Sequence, residues 1–195
     1  MAVPNSGVLR HPSPALADQL FIATSATDYG AFAGLVSEYV QWCRVRYESD
    51  PWFVEQVFGY QSLEAELATL ASTYGPPNGT TLLARRDGAI SGGGAFRRFA
   101  DGICEMKRLF VPERFAGQGT GRLLCRELMC TAARAGYTRM CLDTANLLKE
   151  AIGLYHSMGF RECAPYRVYP NELMPFLVFM EAELPIPSPA GRHDP

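Results

Sequence analysis

Two side chains in this sequence have the chemistry of a proton donor and of a proton acceptor. The first, Tyr155, lies in the segment Ala151–Phe160, one turn before the end of a predicted short helix. A phenol titrates at about 10 and a free thiol at about 8.5, so a tyrosine is able to protonate a departing thiolate. The alternative for Tyr155 is a core position in which a hydrogen bond satisfies its hydroxyl group.

The second side chain, Glu105, stands in an apolar strand between Cys104 and Met106. A carboxylate in such surroundings needs a partner or has a raised pKa. With a raised pKa it is able to accept a proton from an ammonium group, directly or through water. The alternative is a salt bridge to Lys107 or Arg108.

Three alternating glycines, Gly117, Gly119 and Gly121, follow a predicted strand and precede a predicted helix. Glycines allow a ligand to approach the backbone closely. The first amides of a helix are unpaired and lie at the positive end of its dipole, and Arg122 adds a cation, so the stretch is predicted to bind a pyrophosphate. Arg122 also takes the place of the last glycine of a Rossmann fingerprint, and the Gly-Lys-Ser/Thr of a P-loop is absent.

Composition narrows the class of protein. The 195 residues are 48% hydrophobic, enough for one domain with a core, and the net charge of −2 does not suggest a nucleic-acid surface. No apolar run reaches the roughly 18 residues of a membrane span, and the first 14 residues lack the pattern of a signal peptide. Six cysteines without a Cys-x-x-Cys pair predict reduced thiols in the cytoplasm, and three histidines disfavour a metal site.

The periodicity of the chain predicts one α/β domain with a mixed sheet over residues 18–184, between a flexible arm (1–17) and a tail (185–195). A change of phase in the strand 103–111 predicts a β-bulge near Lys107–Leu109 or, as the alternative, a strand that is buried on both faces. Gly92–Gly94 predict a bulge or a close backbone approach. A strand, a helix and a strand across 103–144 predict a parallel pair. Strands are expected at 20–25, 80–85, 89–99, 103–111, 139–144, 160–163 and 176–184. Helices are expected from an N-cap at Thr27 or Asp28 to residue 46, at 63–74, after the glycines to Gly136, and at 147–158.

The run from Glu105 to Phe160 resembles the GNAT superfamily of acyl-CoA-dependent N-acyltransferases. The resemblance is strongest in Val111–Leu124 and in Leu154–Phe160, and with a weaker N-terminal pattern it covers about residues 18–184. It implies a splayed mixed sheet of about seven strands flanked by about four helices.

The resemblance also implies roles for individual residues. In the family a tyrosine that corresponds to Tyr155 protonates the CoA thiolate, and a carboxylate at the position of Glu105 is a frequent general base. Two positions depart from the family motif: Ala116 replaces a glutamine or arginine, for which Arg122 or Arg114 is the candidate substitute, and Asn146 only lies near the position of a common asparagine. Acyl-CoA would contact Leu109, Phe110, Val111, Gly117, Gln118, Gly119, Thr120, Gly121, Arg122 and Asn146.

The function implied is transfer of an acetyl group from acetyl-CoA to the primary amine of a small or amino-acid-like molecule by direct attack in a ternary complex. Tyr47, Glu48 and Tyr166 are candidate acceptor-binding residues. No metal, nucleic acid or membrane partner is expected, and a homodimer is left open. The alternatives are a non-catalytic acyl-CoA-binding sensor or regulatory module, and a nucleotide-binding α/β protein.

Overall fold

A seven-stranded mixed β-sheet forms the centre of the structure, a computed structural model that describes residues 18–184. Its strands are β1 (Gln19–Ile22), β2 (Gly79–Arg86), β3 (Ala89–Ala100), β4 (Ile103–Phe110), β5 (Arg139–Ala145), β6 (Arg161–Glu162) and β7 (Leu177–Glu183). They lie in the order β1-β2-β3-β4-β5-β7-β6, and all neighbours are antiparallel except β4 and β5. The predicted mixed sheet and its parallel pair are confirmed. The predicted arm and tail fall outside the described residues.

Six α-helices flank the sheet in this part of the chain, where about four were expected. They are α1 (Ala26–Arg46), α2 (Pro51–Tyr60), α3 (Leu63–Ala68), α4 (Leu70–Tyr74), α5 (Thr120–Arg134) and α6 (Lys149–Ser157). None of these helices combines the length and apolarity that a bilayer span requires.

Helix α2 is absent from the sequence-based expectation. Pro51 occupies its first turn, where proline is tolerated because the missing N–H has no helical partner. The buried side chains of α2 are Phe53, Val54, Val57 and Phe58, at the spacing of one helix face. The proline therefore starts a helix here in addition to ending the segment that follows α1.

Two other helix boundaries differ from the expected ones. The N-cap of α1 is Ser25, whose hydroxyl accepts from the Asp28 amide while the Asp28 carboxylate accepts from the Ser25 amide, and neither Thr27 nor Asp28 is the cap residue. The single helix expected over 63–74 is divided at Thr69, whose hydroxyl donates to the carbonyl of Ala65 at 2.8 Å.

The glycines of β3 allow helices to pack closely on both faces of the sheet. A Cβ atom at Gly93 would lie 2.9 Å from Leu35 of α1, whereas one at Gly94 would lie 3.0 Å from Leu128 of α5. Because successive residues of a strand point to opposite faces, α1 and α5 cover opposite faces of the sheet. The predicted close backbone approach is confirmed.

The predicted β-bulge in β4 is present. Lys107 is opposite Ala95 on β3 and Phe110 is opposite Gly93, so that three steps along β4 match two along β3. Arg108 lies within the bulge and has a φ of 57°, in the left-handed region that side chains disfavour. Pairing between β4 and β5 ends at Glu105, although β5 continues to Ala145. Beyond Glu105 the two strands diverge.

A buried carboxylate fixes the start of α5 to the sheet. Asp18 accepts hydrogen bonds from Thr120 Oγ1 at 2.5 Å, Ser91 Oγ at 2.7 Å and Arg86 Nη2 at 2.6 Å. Its side chain is 3% exposed. Burial alone would raise the pKa of this carboxyl, but the hydrogen bonds from Thr120, Ser91 and Arg86 outweigh it and hold the pKa below its ordinary value.

Asp18→Asn should destabilise the fold by about 3 kcal/mol near neutral pH, because the charge of Arg86 then lies buried without its partner. The pKa of the Asp18 carboxyl group is lower in the folded than in the unfolded protein. Asp18 therefore stabilises the fold at pH values above the unfolded-state pKa, and this stability is lost as the pH falls through the folded-state pKa. The difference in unfolding free energy between wild type and variant, measured with urea, should therefore shrink below about pH 4. Asp101→Asn is the control, because that side chain is 98% exposed. A difference for Asp18→Asn that stays constant with pH would contradict the prediction.

Candidate active site

A cavity of about 460 Å³ occupies the gap between the diverging strands β4 and β5. Its sides are formed by residues 106–111 of β4 and the following loop and by residues 142–145 of β5. Side chains of α1 and α2 line it on one face of the sheet, and Leu154 and Tyr155 of α6 line it on the other. The cavity therefore connects the two faces of the sheet through the gap.

The hydroxyl group of Tyr155 has no hydrogen-bond partner among the described residues, and the side chain lines the cavity at 8% exposure. Its ring packs against Phe160 with centroids 5.7 Å apart, and the Phe160 amide donates to the Tyr155 carbonyl at 3.0 Å. Burial raises the pKa of Tyr155 above its ordinary value, which keeps the phenol protonated at neutral pH and also makes it a weaker acid than a free phenol. A fixed, protonated and unpartnered hydroxyl group is available to donate a proton.

The glycine loop brings backbone amides to the same cavity. Gly117 and Gly119 have φ values of 74° and 87°, and a Cβ atom at either would meet nothing within 4 Å. Gly119 is the N-cap of α5, whose first intrahelical bond runs from the Leu123 amide to the Gly119 carbonyl. The amides of the helical residues before Leu123, which are Thr120, Gly121 and Arg122, are therefore free to bind an anion. The loop residues at the cavity are Phe115, Ala116, Gly117, Gly119, Thr120 and Gly121.

Several residues that were predicted to contact acyl-CoA do not line the cavity, unlike the glycines of the loop. Gln118 and Arg122 do not line the cavity, and the guanidinium of Arg122 donates to Ser157 Oγ at 2.9 Å. Arg114, the other candidate substitute for the motif residue, pairs with Glu38. Asn146 also lies outside the lining and donates to the Pro175 carbonyl at 2.8 Å. By contrast, Leu109, Phe110 and Val111 line the cavity, and their contact with acyl-CoA stays a prediction.

Glu105 is fully buried and paired with cations. Its carboxylate accepts from Arg97 Nε at 2.9 Å and from Arg167 Nη2 at 2.8 Å, while Lys107 Nζ is 3.8 Å away. The alternative of a salt bridge is confirmed, but Arg97 and Arg167 are the closer partners. Glu105 is not among the residues that line the cavity. Its role as a general base stays a prediction, and these surroundings do not favour it.

The three predicted acceptor-binding residues have separate locations. Tyr47 lines the cavity, is 1% exposed, and accepts a hydrogen bond from the Leu147 amide at 3.2 Å. Glu48 is exposed and outside the lining. Tyr166 is also outside it and donates to Glu105 Oε1 or Asp143 Oδ1, each at 3.3 Å.

An ion pair across the gap is a feature that sequence reasoning missed. Lys107 Nζ of β4 lies 3.0 Å from Asp143 Oδ1 of β5, two residues beyond the last paired residues of the two strands. Burial opposes ionisation, but Lys107 and the hydroxyl of Tyr169 hold the pKa of Asp143 well below its usual range. Gln61 of the loop after α2 donates to the same carboxylate at 3.4 Å. An acidic residue directly after the apolar run Met140–Leu142 is the signal that could have identified Asp143.

Comparison with known proteins agrees with this geometry. Residues 77–162 match the acetyltransferase (GNAT) domain family. An uncharacterized N-acetyltransferase of Schizosaccharomyces pombe is 37% identical over 159 residues, which cover 80% of this chain and 89% of that protein.

Two solved structures have the same fold at low identity. An acetyltransferase from Streptococcus agalactiae aligns with a TM-score of 0.67 and 16% identity, covering 86% of this chain and 98% of that chain. The PaiA N-acetyltransferase of Thermoplasma acidophilum, solved in complex with coenzyme A, aligns with a TM-score of 0.63 and 15% identity, covering 86% and 99%. The glycine loop before α5, the bulge of β4 and the sequence relatives together show that the chain belongs to the GNAT superfamily and is an acyl-CoA N-acetyltransferase.

Proposed function

We propose that the chain transfers an acetyl group from acetyl-CoA to the primary amine of a small molecule, by direct attack within a ternary complex. The observation that carries this proposal is the single cavity that joins the free amides at the start of α5 to the hydroxyl of Tyr155. A thioester donor and an amine are able to meet there, because the gap between β4 and β5 opens the sheet to both faces.

Backbone groups provide most of the binding site proposed for acetyl-CoA. The pyrophosphate binds the amides of Gly117–Gly121, and the pantetheine follows Leu109–Val111, where β4 no longer pairs with β5. A Cβ atom at Gly121 would lie 3.6 Å from Leu154, so that a larger side chain would occupy space in this site. Arg114 and Arg122 already have partners, so the amides and the helix dipole attract the phosphates.

The proposed reaction is a direct displacement. The substrate ammonium first gives one proton to water, and the neutral nitrogen then attacks the thioester carbonyl carbon. Backbone amides of the diverging strand stabilise the negative charge that develops on the carbonyl oxygen. The carbon–sulfur bond then breaks, the sulfur leaves as a thiolate, and Tyr155 donates its proton to that sulfur. The nitrogen loses a proton to water, and bulk solvent restores the proton of Tyr155.

Gly121→Asp tests the site for the pyrophosphate. The carboxylate should weaken the binding of acetyl-CoA at least tenfold, or about 1.4 kcal/mol, by repulsion at the helix N-terminus. Gly121→Ala is the matched control, because its Cβ atom makes only ordinary contacts of 3.6–3.8 Å. Calorimetric titration of both variants measures the affinity. Equal affinities for the two variants would exclude this position from the phosphate site.

Tyr155→Phe tests the proton donor, since it keeps the ring in the cavity lining and removes only the hydroxyl group. The value of kcat should fall about 10²–10⁴-fold, the usual contribution of acid–base assistance. Acetyl-CoA affinity should stay within a few-fold, because the glycine loop is unchanged. Tyr137→Phe is the control, as that residue packs against Phe96 away from the cavity. Full kcat in the Tyr155 variant would rule out its role as an acid.

Glu105→Gln tests whether the carboxylate of Glu105 has a structural role or acts as the general base. Because Glu105 pairs with Arg97 and Arg167, we expect a lower melting temperature and an unchanged acidic limb in the pH profile of kcat/KM. Loss of that limb would instead establish Glu105 as the base. Glu127→Gln is a control for the loss of one ion pair, because Glu127 pairs with Arg134 at the exposed end of α5.

A further inference from the structure

The half of the cavity on the face of α1 and α2 is mainly apolar, and Arg46 and Gln61 are its hydrophilic members. Six of its side chains come from α1, α2 and the turn between them, and each is at most 8% exposed. We call this set the acceptor wall; it belongs to the hydrophobic cluster of α1 and α2, whereas Tyr155 belongs to the cluster of α5. It consists of Cys43, Tyr47, Phe53, Val54, Val57 and Phe58.

The charges next to the acceptor wall are already paired. Arg108 donates to Glu66 through Nε at 2.9 Å and Nη2 at 2.7 Å, and both side chains are at most 8% exposed. Lys107 and Asp143 pair at 3.0 Å and are likewise buried. The interior of this half therefore holds charge in neutral pairs.

The remaining charged groups of the lining lie at its solvent-exposed rim. Arg46 pairs with Glu150 at 2.6 Å, with side chains 39% and 69% exposed. Glu113 is exposed and accepts a hydrogen bond from Trp42 Nε1 at 2.9 Å. A negative group at the entrance attracts a protonated amine, and none of these three rim residues belongs to the acceptor wall.

This distribution of charged and apolar side chains discriminates between amines by the chemical groups that they carry besides the reacting amino group. A carboxylate or a second ammonium group in the substrate would be buried against the acceptor wall without a partner, at a large desolvation cost. An apolar body would instead gain free energy by leaving water. We propose that the acceptor is a primary amine on an uncharged apolar body, an alkylamine or arylalkylamine, bound against the acceptor wall. This inference rests on the proposed acetyl transfer and narrows its substrate class.

The wild-type enzyme is tested first, with three amines of equal chain length. Hexylamine has an apolar body, ε-aminocaproate adds a carboxylate, and hexamethylenediamine adds a second ammonium group. Release of free CoA thiol from acetyl-CoA gives kcat/KM for each amine. We expect hexylamine to exceed both charged analogues at least tenfold.

A charge introduced into the acceptor wall should change this order. Val57→Glu places a carboxylate at a position that is 8% exposed and lines the cavity, where it is able to pair with a second ammonium group. The ratio of kcat/KM for hexamethylenediamine to that for hexylamine should rise at least tenfold. Gln56→Glu is the matched control, because it adds the same charge to the adjacent, exposed position of α2 and should leave the ratio unchanged.

The outcomes distinguish the two proposals. If the wild type acetylates amines but prefers either charged analogue to hexylamine, the apolar substrate class is overturned while acetyl transfer stands. Binding of acetyl-CoA without turnover of any amine in the panel would overturn this inference, whereas turnover of a different small primary amine in the same assay would leave the proposed function standing. The wild-type comparison decides the substrate class even if Val57→Glu fails to fold.

Discussion

The gap between β4 and β5 depends on one extra residue in β4, and the buried ion pair of Arg108 and Glu66 holds that residue in place. Arg108 adopts a positive φ, a strain of about 1–3 kcal/mol that persists only when its surroundings fix it. Glu66 of α3 binds its guanidinium with two hydrogen bonds, and Tyr74 of α4 donates to the same carboxylate at 2.8 Å. The ring of Phe58 lies 5.3 Å from the guanidinium carbon. Four helical or strand segments therefore meet at the bulge.

The separation of the two strands organises the chemistry on both faces of the sheet. On one face it exposes the start of α5 and the hydroxyl of Tyr155 to the cavity, and on the other it exposes the apolar side chains of α2. The ion pair of Lys107 and Asp143 connects the strands at the narrow end of the gap, next to their last paired residues. The charges near the centre of the cavity thus maintain the shape of the site and balance one another.

Local patterns in the sequence predicted the parts of the site that depend on short stretches of chain. The bulge was visible as a change of phase around Lys107, and the alternating glycines indicated the free amides before α5. The partners of Glu105 were not predictable in the same way, because Arg167 is 62 residues away and approaches through the loop before β7. Helix α2 was not predicted, because a proline such as Pro51 is compatible both with the end of one helical segment and with the first turn of the next. Tertiary packing determines which distant segments make contact. It also determines which of two structures forms where the local sequence is compatible with both.

The connection from α2 to α4 has a consequence for how related chains can vary in length. Loops at a protein surface ordinarily tolerate insertions and deletions. Residues 61–69 hold Glu66 against Arg108 and Gln61 against Asp143. A change of one residue in this connection would rotate or shift Glu66 away from the bulge, although Glu66 itself is absent from the cavity lining. Among acetyltransferases that share this ion pair, the number of residues between α2 and α4 should therefore vary less than a surface connection ordinarily does.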